Sequence, residues 1–103
     1  MADEAHDPVG RLKELLGRSE YIKAFDLART AVADNDAGVR LRHGGVLALA
    51  RMGAIDQARR IYAQWGLDAV IDNEDVLALK GRLLKDEALA QHGEERRRGL
   101  HEA

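Results

Sequence analysis

Two segments of this chain carry a similar apolar rhythm at a distance of 34 residues: EYIKAFDLARTAV at residues 20–32 and AIDQARRIYAQWG at residues 54–66. Each places apolar residues three and four apart, the spacing that keeps them on one face of a helix. The same shift superposes further apolar and turn positions: Leu12 on Val46, Leu15 on Leu49, and Ser19 on Gly53. Helical hairpins can stack, each with one face buried against the next hairpin, if their apolar and turn positions recur at a constant spacing. The spacing of 34 residues therefore predicts stacked helical hairpins.

The turn residues and the apolar periodicity predict five helices and the start of a sixth. Asp7 and Pro8 mark a helix start, because aspartate caps free amides and proline tolerates the first helical position. Ser19 is expected to cap the second helix, and Gly53 and Gly66 to end the third and fourth. The predicted helices cover about 8–18, 20–33, 39–52, 54–66 and 75–91, within one helical repeat domain over 8–91. We expect residues 1–7 to be disordered and residues 92–103 to begin a further helix or a frayed tail.

The composition fits one small helical domain. A chain of 103 residues holds one core, and with 46% hydrophobic but only 4% aromatic residues that core consists mainly of Ala, Leu, Val and Ile. The formal net charge of −2 supplies no long-range attraction for nucleic acid, and the absence of cysteine excludes disulfides and thiolate ligands. The sequence shows no secretory signal and no stretch near the roughly 20 apolar residues of a membrane span. We expect a cytoplasmic protein without a membrane partner.

The period and the pattern of the second helices resemble the tetratricopeptide repeat over residues 8–91. In its second helix that family has a small residue, an aromatic residue four later, and a small residue three after that. These places fall on Ala58, Tyr62 and Trp65 in the second unit and on Ala24, Ala28 and Ala31 in the first. Trp65 is large where the family is small, Ala28 is small where it is aromatic, and the first-helix Trp, Leu-Gly and Tyr pattern is nearly absent. The resemblance implies an all-α fold, antiparallel hairpins stacked as a short α-solenoid; the alternative is an ordinary helical bundle.

A second resemblance concerns the end of the fifth helix and the segment GEERRRGL that follows it. It is similar to bacterial repeat proteins that carry a domain related to the TRAF-binding region of stress kinases, which implies a bacterial source. Because Leu100 is the only large apolar residue of the expected sixth helix, we also expect the sequence to be a piece of a longer helical protein.

Side chains suited to catalysis are few. Ser19 is the only serine, and its place at a helix start is explained by capping. The four histidines are scattered, and none pairs with another at the spacing of HExxH. Gly44 and Gly45 lie inside a helical pattern, and the Lys-Ser or Lys-Thr pair of a phosphate-binding loop does not follow them. We therefore expect these glycines to allow close helix packing or to kink the helix. We therefore expect no enzyme, no catalytic residue, no metal site and no cofactor.

The resemblance to the tetratricopeptide repeat implies a binding surface on the concave side, which the first helix of each hairpin lines. The residues expected to contact a partner there are Arg40, His43, Leu47, Arg51, Leu79 and Leu83, with Val76 and Asp86 beside them. Arginines that flank an apolar floor suit a peptide with acidic and aliphatic side chains. The alternative is that Leu47, Leu79 and Leu83 belong to the core and that the arginines are solvated. The fifth helix carries apolar residues on more than one face, so we expect something to cover it. In a longer protein the next helix would do so, and in this fragment a homo-oligomer or a bound partner.

Three functions follow in order of preference. The first is a non-catalytic protein–protein interaction module, a scaffold or regulatory domain that binds a protein or peptide. The second is a nucleic-acid contact, disfavoured by the charge, through the arginines Arg40, Arg51, Arg59, Arg60 and Arg96 to Arg98. Its affinity would fall steeply with salt. The third is an enzyme, for which a divalent metal ion that raises the melting temperature would be the sign.

Overall fold

The computed structural model describes residues 7–102, with side-chain environments for residues 7–89. It contains five α-helices and one short 3₁₀ turn: α1 Pro8–Gly17, α2 Tyr21–Ala33, α3 Val39–Arg51, α4 Ile55–Gln64, the turn Leu67–Ala69, and α5 Glu74–Glu102. No strand occurs in this part of the chain, so the predicted all-α class is confirmed. The disorder expected for residues 1–7 falls, apart from Asp7, outside the described residues. Asp7 caps α1 as predicted, because its carboxylate accepts a hydrogen bond from the Gly10 N–H at 3.2 Å.

The turns that close the two hairpins have the same construction 34 residues apart. Each is held by two backbone hydrogen bonds into the preceding helix: Ser19 N–H to Leu16 C=O (3.1 Å) and Glu20 N–H to Leu15 C=O (2.9 Å), then Gly53 N–H to Ala50 C=O (3.0 Å) and Ala54 N–H to Leu49 C=O (3.0 Å). Ser19 and Gly53 both adopt the left-handed conformation, with φ of 62° and 85°. This is the usual geometry of a helix C-terminus that reverses direction. The predicted register therefore holds at both turns.

The same geometry corrects the prediction that Ser19 caps the second helix. Glu20 occupies the N-cap position of α2 and makes no side-chain capping bond. Ser19 lies one residue earlier, in the left-handed position that ends the preceding helical turn, and its hydroxyl accepts a hydrogen bond from the Tyr21 hydroxyl at 3.4 Å. Because Glu20 and not Ser19 stands at the N-cap of α2, the predicted capping role of Ser19 is wrong.

The second hairpin departs from the first after α4. That helix has 10 residues where α2 has 13, and it ends at Gln64. Gly66, two residues beyond its end, has a φ of 75°, which confirms the predicted left-handed cap. The chain then passes through the 3₁₀ turn to α5. The side chain of Asn73 accepts a hydrogen bond from the Val76 N–H at 3.2 Å and so caps the N-terminus of α5. The helix begins at Glu74, one residue before the predicted start at Asp75.

The expected sixth helix is not a separate element. The backbone of α5 continues without interruption from Glu74 to Glu102, through the glycine at position 93 where a break was expected. One glycine inside a helix costs only about 1 kcal/mol relative to alanine, which does not by itself end a helix. The sequence also places Glu94 four residues before Arg98, a spacing that supports helix continuation.

The core is organised around α3, which contacts each of the other four helices. One group of buried residues joins α1 and α2 to α3: Leu12, Leu15, Ala24, Leu41 and Ala48. A second group joins α2 and α3 to α4, the 3₁₀ turn and α5, and its largest fully buried members are Leu49, Leu67, Val46 and Val76. Burial of these side chains is the main source of stability for such a domain.

Two adjacent glycines let the helices approach α3 closely. A Cβ on Gly45 would lie 2.6 Å from the Ala28 Cβ and 2.8 Å from Cζ3 of Trp65, and a Cβ on Gly44 would overlap the Leu12 side chain. Gly45 thus makes room for the large Trp65, whose ring stacks on Phe25 with centroids 5.7 Å apart. Close packing is therefore the role of both glycines.

Candidate binding groove

An open groove of about 330 Å³ lies between α1, α3 and the start of α5, and we call it the α1–α3–α5 groove. Its lining comes from three parts of the chain: Val9, Leu12, Lys13 and Leu16 of α1, Val39, Arg40, His43, Gly44 and Leu47 of α3, and Asn73 and Asp75 at the start of α5. Helices α1 and α3 are the first helices of the two hairpins, and α5 is the helix that follows the second hairpin. The groove therefore lies on the side where the first helices run next to one another.

The floor of the groove is apolar because α1 packs closely on α3. Leu12, which is buried, rests on the bare backbone of Gly44, where any Cβ would overlap it. Leu16 and Leu47 flank this contact and are only half-buried, so part of each side chain faces the groove. The floor consequently offers aliphatic surface to a ligand, which is the typical lining of a binding site.

The rim of the groove is charged on both long sides. Lys13 on α1 and Arg40 on α3 are exposed, and Asp75 contributes a single carboxylate at the α5 end. Among residues 7–89, the ion pairs are formed by other side chains, so neither Lys13 nor Arg40 is neutralised there. The groove thus presents two free cations beside an aliphatic floor.

His43 lies half-buried in the groove, near Asp75. Burial lowers the pKa of His43 below its ordinary value of 6.5, while the charge and backbone of Asp75 act in the opposite direction and Arg51 lowers the pKa a little further. The imidazole is therefore neutral at pH 7. A neutral imidazole offers one hydrogen-bond donor and one acceptor to a ligand.

The structure brings three of the six predicted contact residues together. Arg40, His43 and Leu47 line the groove from one face of α3. Arg51 is exposed at the end of the same helix, outside the groove lining. These four positions share a helix, but only the first three share the cavity.

Leu79 and Leu83 lie in the core and not on the exposed surface where the sequence prediction placed them. They are only 3% and 2% exposed, and together with Val76 they form the face of α5 that packs into the core. Helical periodicity correctly placed them on one face, but this face covers the core below α3 and α4. The contribution of α5 to the groove comes instead from Asp75, with Asn73 just ahead of the helix.

Sequence reasoning missed the contribution of α1. Val9 and Lys13 stand 34 residues before His43 and Leu47, so the repeat register contained the signal that they occupy equivalent places. Extending the predicted concave surface from the second unit to the first would have found both. Asn73 and Asp75 carried no comparable signal, because the chain between α4 and α5 does not follow the repeat.

The arginines of the nucleic-acid alternative lie at separate places. Arg59 on α4 is paired with Glu87 on α5, and Arg40 lies in the groove. Arg51 and Arg60 are exposed on different helices. The side chains of residues 96–98 lie outside the described ones, so the largest arginine cluster adds nothing to this geometry.

No helix within residues 7–102 has the length and apolar character needed to cross a membrane. In the same part of the chain, no group of three or more His, Cys, Asp or Glu side chains is arranged to hold a metal ion. No protein-family model matches the chain, and neither curated proteins nor solved structures give a significant match.

Proposed function

We propose that this chain is a tetratricopeptide-like interaction module that binds a peptide segment of a partner protein in the α1–α3–α5 groove. The observation that carries the proposal is the groove itself, where an aliphatic floor lies beside two cations that have no ion-pair partner among the described residues. Its volume of about 330 Å³ is near the lower end of the roughly 300–1,000 Å³ of ligand pockets. It therefore accepts a few side chains of a peptide, not a folded domain.

The lining defines the chemistry of the peptide. Leu16 and Leu47 favour aliphatic side chains, because contact with them removes apolar surface from water. Lys13 and Arg40 favour carboxylates, and the guanidinium of Arg40 has the geometry for a bidentate contact. Asp75 and the neutral His43 at the α5 end accept hydrogen bonds from the peptide backbone. The preferred ligand is a short segment that combines Asp or Glu with Leu, Ile or Val.

A selection from a random peptide library, displayed against the immobilised chain, tests this proposal. We expect enriched sequences that combine carboxylate and aliphatic side chains. The groove variant carries Leu47→Asp and Arg40→Glu. The matched control carries Ile22→Asp and Arg60→Glu, the same kinds of change at exposed positions outside the groove. Circular dichroism of both variants is the check that each remains folded.

Affinities of the enriched peptides then decide the outcome. The groove variant should bind at least tenfold more weakly than the unmodified chain, because it loses an apolar contact and reverses a charge, whereas the control should stay within about twofold. Absence of any enriched class, or equal loss in both variants, refutes the proposal. If the chain instead captures nucleic acid with a steep dependence on salt, the nucleic-acid alternative replaces it.

A further inference from the structure

Among residues 7–89, helix α5 has a second apolar face that is exposed. Val76, Leu79 and Leu83 are buried on the core side, yet Leu77 and Leu84 are each 47% exposed. Leu77, Gly81, Leu84 and Ala88 follow one another at intervals of four, three and four residues. This spacing places them in one row along the helix, and we call that row the outer stripe.

The outer stripe is accessible along its whole length. All four of its residues are exposed, and a Cβ added to Gly81 would meet nothing within 4 Å. Two ion pairs, Lys80–Asp68 (3.4 Å) and Glu87–Arg59, join the exposed surface of α5 to the 3₁₀ turn and to α4. Helix α4 lies beside Leu84 at one edge of the stripe, and about half of the Leu77 and Leu84 side chains stays exposed among the described residues.

The order of side-chain sizes along the stripe is complementary to a second copy of the same stripe. The order is large, small, large, small: Leu77, Gly81, Leu84, Ala88. A two-fold axis midway between Gly81 and Leu84 places Gly81 opposite the leucine at 84 of a second, antiparallel copy. The same axis places Leu77 opposite the alanine at 88 of that copy. Every leucine then fills the space left by a glycine or an alanine, which is the large-on-small packing that close helix contacts need.

A parallel pairing of two copies lacks this fit. In register, it would place leucine on leucine and leave Gly81 opposite the second glycine, with an unfilled gap between the helices. We propose that the outer stripe binds a second copy of this chain, with the two α5 helices antiparallel about the midpoint between Gly81 and Leu84. This pairing is separate from the peptide site, because the groove uses only the beginning of α5.

The contact is small, so the dimer is weak and depends on concentration. From Leu77 to Ala88 the stripe spans roughly 16 Å of helix at about 1.5 Å per residue. One helix pair of this length buries less than the roughly 1,200–2,000 Å² of a stable interface. Sedimentation equilibrium over protein concentrations from about 10 μM to about 1 mM covers the corresponding range of dissociation constants.

Charge introduced into the stripe should abolish the dimer. Leu84→Glu should raise the dissociation constant at least tenfold, because it places two carboxylates in an apolar contact. The matched control Ile22→Glu makes a similar change on α2, where the side chain is 69% exposed, and should leave the dimer unchanged. A chain that stays monomeric up to about 1 mM overturns the proposal, as does an equal effect of both variants.

Side-chain size gives a second test that charge cannot mimic. Gly81→Leu has room in the monomer but meets the leucine at 84 of the second copy, so it should weaken dimerisation at least tenfold. Adding Leu84→Ala restores a large residue opposite a small one and should return the dissociation constant to within about threefold of its original value. If the double variant stays as weak as the single one, the antiparallel register is wrong.

The orientation of the helices can be measured on a chain with no other change. Because the sequence has no cysteine, single cysteines in place of Lys85 or Glu74 each carry one spin label per copy. The antiparallel pairing separates the two copies of position 85 by about 8 Å along the helix axis and the two copies of position 74 by about 25 Å. Similar distances at both positions indicate a parallel pairing and overturn the proposal, and the absence of any intermolecular distance excludes a dimer.

Discussion

Replacement of Gly45 by alanine tests how closely α2 and α4 pack onto α3. The added Cβ would lie 2.6 Å from the Ala28 Cβ and 2.8 Å from Cζ3 of Trp65. Neither neighbour can rotate away, because alanine has no side-chain torsion that moves its Cβ and the ring of Trp65 stacks on Phe25 at 5.7 Å. Relief therefore requires a shift of whole helices.

The size of the effect follows from two opposing contributions. Overpacking of a tight core typically costs about 1–3 kcal/mol, and we expect the upper half of this range at Gly45 because both neighbours are fixed. Alanine favours a helix by about 1 kcal/mol relative to glycine, which offsets part of that cost. The free energy of unfolding should fall by about 1–2 kcal/mol. For a domain of this size the melting temperature should fall by roughly 5–15 °C.

Urea unfolding followed by circular dichroism measures this change, with Gly81→Ala as the matched control. At Gly81 a Cβ meets nothing within 4 Å, so the control retains only the helix-propensity gain and should be about 1 kcal/mol more stable than the unmodified chain. Opposite signs for the two glycines support the packing described here. A Gly45→Ala variant as stable as the unmodified chain would refute it.

Three further changes have expected outcomes. Asp7→Ala removes the cap of α1 and should lower the free energy of unfolding by about 1 kcal/mol in thermal unfolding; an unchanged value would mean that the 3.2 Å bond contributes nothing. Tyr62→Phe removes the 3.2 Å hydrogen bond from the Tyr62 hydroxyl to the Val76 carbonyl and should lower the free energy of unfolding in urea by about 1 kcal/mol. An unchanged value would mean that a water molecule takes the place of the hydroxyl. Burial lowers the pKa of His43 below 6.5 in the folded chain, so the unfolded chain binds this proton at a higher pH than the folded chain does. Acidification through pH 6.5 should therefore lower the free energy of unfolding. Unfolding of the unmodified chain and of His43→Gln between about pH 7.5 and pH 5.5 should show a smaller decrease in the variant, and parallel curves would contradict this.

The helical elements could be predicted because they depend on local signals. Apolar residues three and four apart identify a buried helix face, and left-handed glycines mark the ends of α3 and α4. Ser19 was misassigned because serine favours helix caps in general, while its place 34 residues before Gly53 required a turn residue. The register was the stronger signal at that position.

The candidate site could be predicted only in part, because α5 is apolar on two faces. The sequence does not distinguish the face that packs into the core from the outer stripe, so Leu79 and Leu83 were assigned to the surface although they are buried. His43 and Leu47 could be placed beside each other from the sequence because α3 follows the repeat, and both line the groove. Asp75 was not found, because its approach to His43 depends on how the segment between α4 and α5 folds.

The most direct measurement of the central claim is a nuclear magnetic resonance titration of the isotope-labelled chain with an acidic, aliphatic peptide from the library selection. If the groove binds the peptide, the largest saturable shifts occur at the amides of the groove lining: Lys13, Leu16, Arg40, His43 and Leu47. Amides on the outer faces of α2 and α4, such as Asp26 and Arg60, should change little. Shifts centred on those outer faces or on Leu77 and Leu84, or no saturable change at the groove, would contradict the account.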